Sequence, residues 1–362
     1  MTFKSLTATA ILALGVAVAA QAEEVRVYNW SDYIDESLLT KFQEETGIKL
    51  IYDVFDSNEV LETKMLAGGS GYDVVVPTGT FLQRQIAAGA FQKLDKSKLP
   101  NIKNMWDAIS SRTAKYDPDN QYAINYMWGT TGIGINVAKV KEALGEDAPI
   151  DSWDLVFKPE NMEKLASCGV YFLDAPTEMI PAALKYIGED PDSHDPDVIA
   201  KAEPVYMAIR PYIQKFNSSE YINALANGDI CVAVGWSGDV LQARDRAAEA
   251  DNGVEIAFNA PKEGAQMWFD MMAIPTDAPN PDGAHKFLNF IMDAQNMAAA
   301  SNYVYYANGN LASQEFLNED VIGDPAIYPS AEAMDNLFTT TPYDAKVQRV
   351  VTRLWTKIKS GT

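Results

Sequence analysis

The sequence is poor in cysteine and histidine. Among 362 residues there are two cysteines, Cys168 and Cys231, and two histidines, His194 and His285. Neither histidine has a partner at metal-ligand spacing, so no metal site is expected. Neither cysteine has a histidine near it in sequence, which argues against a thiol nucleophile. There is no G-x-S-x-G, and GGSG (68–71) and GIG (132–134) lack the complete phosphate-binding patterns, so no cofactor is expected. Positive charge is scarce as well: 29 Lys and Arg stand against 50 Asp and Glu, a net charge of −21. Such a surface repels nucleic acid and anionic membranes and attracts cations at long range. Beyond the N-terminus no apolar run approaches the ~18 residues a membrane helix needs. No short-period repeat and no long Pro- or Ser-rich linker interrupts the chain.

The N-terminus reads as an export signal. Lys4 supplies a positive start, residues 8–20 are apolar, and Ala20-Gln21-Ala22 is an A-x-A cleavage site. The mature chain is expected to begin at Glu23, in the bacterial periplasm. No cysteine follows the cleavage site, so no lipid anchor is expected there. In an oxidising compartment Cys168 and Cys231 are expected to pair; two buried thiols are the alternative. The remaining chain, about 340 residues at 47% hydrophobic content, is long enough for two cores.

The first third alternates strand and helix. Residues 25–28 read as a strand, 36–46 as a helix stopped by Gly47, and 48–52 as a strand. Asn58 can cap a helix to Ala67, 72–76 is a third strand, and 80–88 is helical. This rhythm predicts a mainly parallel sheet with right-handed crossovers. Residues 122–125 and 132–135 read as two strands at a crossing into a second unit. That unit repeats the style, with strands over 170–173, 230–235 and 254–258 and a helix over 179–186. DPDSHDPD (190–197) resembles a calcium loop only loosely, because two prolines break the ligand spacing. Residues 267–274 look like a strand crossing back, followed by helices over 284–292 and 347–358.

Ligands of open parallel sheets sit beyond the carboxyl ends of the strands. The residues there are unusual. NWSDYID (29–35) puts Trp30, Ser31, Asp32 and Tyr33 after the first strand. Thr78 and Thr80 follow the third, and Asp174 and Glu178 follow 170–173. Trp236, Ser237 and Asp239 follow ICVAVG, Trp268 and Asp270 lie on the crossing strand, and Tyr305 and Tyr306 come later. A lone Trp is usually core, and an Asp after a strand is often a helix N-cap, as Asp32 and Asp239 could each be. Capping does not explain why an aromatic ring recurs beside the carboxylate. Rings cover an apolar body and spaced carboxylates ask for cations, so a linear polyamine meets both demands.

The chain resembles the periplasmic polyamine-binding proteins that feed putrescine/spermidine ABC importers. The landmarks are VYNWSDYI (27–34), IYDVFDSNEV (51–60), YDVVVPT (72–78), YMWGTTGIGIN (126–136), SCGVYFLDAP (167–176), LANGDICVAVGWSGD (225–239), WFDMMAIP (268–275) and YYANGN (305–310). The resemblance implies an α/β, two-lobed periplasmic-binding-protein fold of type II-like form. Each lobe would be a mixed, mainly parallel sheet flanked by helices, with the ligand between the lobes. The expected division is 1–22 signal, 23–130 first lobe, 131–264 second lobe, 265–325 first lobe again, and 326–362 a C-terminal helical segment of unassigned lobe. The resemblance implies Trp30, Tyr33, Trp236, Trp268 and Tyr306 as an aromatic box. It implies Asp32, Glu178, Asp239 and Asp270 as carboxylates facing ammonium groups, with Ser31 and Thr78 making smaller hydrogen bonds. Family members selective for putrescine tend to carry Phe at the place of Trp268, and some spermidine binders carry Glu at the place of Asp32. The two positions point opposite ways, and the balance leans to spermidine. The cysteine pair fits the family's bridge.

The expected function is capture without chemistry: a monomer closes on a polyamine and delivers it to an inner-membrane ABC permease. The rivals are a polyamine sensor, a sugar- or iron-binding protein of the same architecture, and a glycoside hydrolase using two of the acids. No particular carboxylate pair stands out for that last role.

Overall fold

The computed structural model describes residues 23–361. The export signal expected over 1–22, with its cleavage after Ala22, lies outside the described residues. The strands are β1 (Glu24–Trp30), β2 (Lys49–Phe55), β3 (Val74–Val75), β4 (Ala123–Asn136), β5 (Val170–Phe172), β6 (Lys215–Phe216), β7 (Val232–Trp236), β8 (Ile256–Asn259), β9 (Met267–Ala273) and β10 (Ala307–Asn308). They join in the order β2-β1-β3-β9-β4-β7-β5-β6, with β8 and β10 also paired to β4.

The β-α-β units give parallel pairs and the crossing strands give antiparallel ones. β1 lies parallel to both β2 and β3, through the helices Glu36–Thr46 and Asn58–Ala67. Asp35 starts the first helix by accepting the Ser37 N–H, and Leu38 and Phe42 turn into the core. The second helix is capped by Ser57, whose Oγ accepts the Val60 N–H, not by Asn58. Asn58 is instead the first helical residue, which leaves its amide for other partners. In the second lobe β5 runs parallel to both β6 and β7.

β4 joins the lobes. Two separate strands are expected here, over 122–125 and 132–135, but the chain runs as one strand of 14 residues, all buried. The linking residues 126–131 are covered on both faces, so they show no apolar–polar alternation from which a strand can be read. Residues 123–130 pair with β9, and 131–136 pair with β7 and β8. Each half of one strand therefore belongs to a different lobe.

Side chains alternate across the sheet, so the first lobe has a core on each face. Val25, Val27, Val74 and Phe42 lie in one, and Tyr28, Val75, Leu61 and Phe269 in the other. The second lobe has one large core around Trp153, Phe172, Tyr206 and Val234. The helix Ala345–Ser360 packs there through Val351, Leu354, Trp355 and Ile358. Cys168 and Cys231 form a disulfide with 5.4 Å between Cα atoms, just ahead of the paired strands β5 and β7. Their sequence separation is 63 residues. Tying a loop of that length removes about 4 kcal/mol of entropy from the unfolded chain in the loop-closure model. Replacing both cysteines by alanine is therefore expected to lower the free energy of chemical unfolding by about 4 kcal/mol. An unchanged denaturation midpoint would show that the bridge constrains little.

Candidate functional site

The carboxyl ends of β1, β3 and β7 open on one cleft between the lobes. β1 ends at Trp30, whose Nε1–H donates to the Val76 carbonyl at 2.9 Å. The chain then turns through Asp32 in the left-handed region, φ 53°. That turn brings Tyr33 inward, 5% exposed, where its carbonyl accepts the Tyr126 hydroxyl at 2.7 Å. The Tyr33 hydroxyl donates to Asp270 Oδ2 at 2.8 Å, and the Thr78 hydroxyl donates to Asp270 Oδ1 at 2.6 Å. Asn58, freed from capping, donates through Nδ2 to Thr78 Oγ1 at 2.9 Å. Asp270 is thus held on both oxygens by neutral donors.

The second lobe repeats the device. β7 ends at Trp236 and the helix Ser237–Glu249 begins at once, with Asp239 in its first turn. Asp239 accepts the Tyr306 hydroxyl on Oδ1 at 2.7 Å and the Tyr221 hydroxyl on Oδ2 at 2.8 Å. Glu178, in the first turn of the helix Pro176–Tyr186, accepts the Thr131 hydroxyl and the Trp236 Nε1–H. Both of those bonds fall on Oε2.

The rings make the walls. Trp30 meets Trp236 edge-on across the cleft at 5.8 Å between centroids. Tyr306 meets Tyr33 and Trp268, each at 5.3 Å. Two glycines make room for this packing. A Cβ on Gly129 would lie 2.9 Å from both Trp268 and Tyr306, and one on Gly238 would lie 2.4 Å from the Tyr306 ring.

The cleft encloses about 650 Å³ counted to its open mouth. Its lining includes the carboxylates Asp56, Glu178, Asp239 and Asp270 and, among the described residues, no Lys, Arg or His. Burial pushes Glu178 and Asp270 up to about 7 and Asp239 up to about 6, against the downward pull of the hydroxyl and indole donors. None of these acids forms an ion pair among the described residues, and Arg246, itself paired with Asp32, pulls only weakly on Asp239. Among the described residues, no group of three His, Cys, Asp or Glu stands close enough to hold a metal ion. The negative charge is distributed along the cleft, which suits a guest whose positive charges are also spaced.

Ten of the eleven residues expected at the site line this one cleft: Trp30, Ser31, Tyr33, Thr78, Glu178, Trp236, Asp239, Trp268, Asp270 and Tyr306. Asp32 does not. Its left-handed backbone turns the carboxylate away, and Oδ1 pairs with Arg246 at 2.8 Å. The expected ammonium partner is thus an ion pair from β1's end to the helix Ser237–Glu249. Asp32 is not that helix's N-cap either, nor that of Glu36–Thr46, where Asp35 serves. Asp56, Asn58, Ser218, Ser219 and Gln266 also line the cleft and were not expected. Ser218 and Ser219 follow β6, a two-residue strand with no readable pattern. Tyr221 supports the cleft from behind, donating to Asp239 and accepting the Trp236 N–H at 3.1 Å, and nothing in its sequence surroundings marks it.

Comparison with known proteins agrees with this geometry. Residues 37–329 match the family model described as bacterial extracellular solute-binding protein. The chain is 56% identical over 347 residues to the putrescine-binding periplasmic protein SpuD of Pseudomonas aeruginosa, spanning 96% of this chain and 95% of that one. It is 53% identical over 358 residues to the putrescine-binding periplasmic protein PotF of Escherichia coli, spanning 98% and 97%. Among solved structures it superposes on the spermidine/putrescine ABC transporter substrate-binding protein PotD of Streptococcus pneumoniae with a TM-score of 0.77. That match has 30% identity and covers 94% of this chain and 99% of that one. The chain belongs to the bacterial extracellular solute-binding proteins, in the group that contains the periplasmic polyamine-binding proteins.

Proposed function

We propose that this protein captures putrescine or spermidine in the interlobe cleft and delivers it to an inner-membrane ABC permease. One observation carries the reading: buried carboxylates and aromatic rings from both lobes surround a space that no basic side chain among the described residues lines. An amino acid or peptide would need a cation for its carboxylate. A sugar would use the rings but leave several buried charges uncompensated, which is costly. A polyamine places methylenes between the rings and ammonium groups against the acids. Two relatives above half identity are named for putrescine. Trp268 is the cleft residue that the family resemblance links to spermidine. We therefore take the ligand as a four-carbon diamine unit, with or without an aminopropyl arm.

Residues 23–130 with 265–325 form one moving body in this reading, and 131–264 the other, with the helix Ala345–Ser360 packed on the second. The ligand bridges them and favours closure by no more than its differential affinity for the closed state. A micromolar binder has about −8 kcal/mol to divide between contact and closure. The protein acts as a monomer in the periplasm after cleavage behind Ala22.

Thermal unfolding with single additives tests the reading. Putrescine and spermidine are each expected to raise the melting temperature, because a ligand at 100 times its Kd stabilises by about 2.7 kcal/mol. Maltose and calcium are expected to leave it unmoved. A rise with maltose alone would replace the polyamine reading by a sugar one.

A further inference from the structure

We propose that Gln266 is a further ligand-binding residue, whose Oε1 accepts a hydrogen bond from the ligand's ammonium at the Glu178 end of the cleft. The proposal rests on the polyamine reading and adds a residue to it. Gln266 precedes β9 on the segment that crosses back between the lobes, and its side chain lines the cleft while only 7% exposed. Its Nε2 donates to Thr340 Oγ1 at 3.2 Å. That bond turns the amide so that Oε1 is the free end, and Oε1 accepts no hydrogen bond among the described residues. A buried acceptor with no donor costs about 1–3 kcal/mol, so such an atom calls for a partner.

The hydrogen-bond inventory says which partner. An ammonium has three N–H donors and needs three acceptors. Asp239 and Asp270 already accept a protein hydroxyl on each of their four oxygens. At the near end Glu178 takes both its protein bonds on Oε2, leaving Oε1 without a donor among the described residues. One free carboxylate oxygen is short of an ammonium's requirement. The backbone places Gln266 beside it: the Gln266 carbonyl accepts the Thr131 N–H at 3.0 Å, and the Thr131 hydroxyl holds Glu178. A neutral acceptor there adds a hydrogen bond without adding charge to an already acidic cleft. The same residue is tied to the hinge, since the neighbouring Met267 N–H donates to the Phe338 carbonyl at 2.8 Å.

Calorimetric titration of the full chain with putrescine and with spermidine tests this. Gln266→Met keeps the length and removes the acceptor, and is expected to weaken binding about ten- to a hundredfold, the range for a hydrogen bond to a charged group. Gln266→Glu, which restores an acceptor, is expected to recover most of that loss at pH 8. The melting temperature of the ligand-free Met variant should stay near the parent's, which a purely structural role would not allow. Should that variant melt much lower, Thr340→Val decides instead: releasing the amide anchor is expected to weaken binding severalfold. Binding within twofold of the parent in Gln266→Met, or in Thr340→Val where that variant decides, overturns the proposal and leaves the polyamine reading standing. A parent that binds neither polyamine overturns both.

Discussion

Asp270→Asn is expected to lower putrescine and spermidine affinity by roughly a hundred- to several-thousandfold, measured by isothermal titration calorimetry. Removing one partner of a buried ion pair typically costs about 3–5 kcal/mol, because the other charge is left desolvated and unpaired. Asp270 is 4% exposed on the crossing strand β9 and takes hydroxyl donors on both oxygens. Asparagine keeps the shape and can satisfy both hydroxyls, since a hydroxyl accepts as well as donates. What it cannot supply is charge. The ligand-free variant should for that reason be no less stable than the parent, and above pH 7 it should be more stable, because the parent there ionises a buried acid with no cationic partner. Loss of binding together with unchanged or improved stability distinguishes a ligand contact from a structural one. Undiminished affinity would place the polyamine elsewhere.

Much of the cleft can be read from the sequence because its residues sit where regular elements stop. A strand of apolar residues followed by Trp30, or ICVAVG followed by Trp236 and Asp239, fixes both the chain direction and which residues reach the mouth of the sheet. Ten of the eleven residues that the resemblance implies share one cleft, and of these Trp268 and Asp270 lie within β9 rather than at its end. Asp32 falls outside it because a single left-handed residue reverses where a side chain points, and aspartate tolerates that conformation without leaving a sign in its neighbours. β4 was legible only at its ends, because a strand buried on both faces lacks the alternation that identifies one. Asp56, Ser218 and Gln266 come from loops and a hinge segment, where position is set by the packing of whole lobes. With Arg26 exposed, VRVY marks only one apolar face, so the second core layer of the first lobe, like the docking of the last helix on the second lobe, depends on tertiary packing.

Acidification is expected to release the ligand. In the empty cleft Glu178 and Asp270 titrate near 7 and Asp239 near 6, so near neutrality the site already holds protons. Aliphatic ammonium groups stay charged throughout this range, as lysine does. Binding a dication favours the ionised acids and must therefore expel protons. Affinity rises with pH up to about 8 and falls below it, by at most about tenfold for each group and each pH step beneath its titration point. From pH 8 to 5 the ceiling is about 10⁵-fold. Coupling among the three acids, with Glu59 adding a weaker repulsion on Glu178, brings the expected fall to roughly a hundred- to a thousandfold. Titrations at pH 6.5 in two buffers of different ionisation enthalpy should give between about one and two protons released per ligand. Stability of the empty protein runs the other way. The folded state binds more protons than the unfolded chain between about pH 4 and 7, so these three groups make the empty fold less stable as pH rises through that window. Saturating spermidine should abolish that slope, since its ammonium groups then bear the charge that the empty cleft leaves unpaired. A pH-independent affinity would mean that the ligand's cations do not meet these carboxylates, and the assignment of Glu178, Asp239 and Asp270 would fall together.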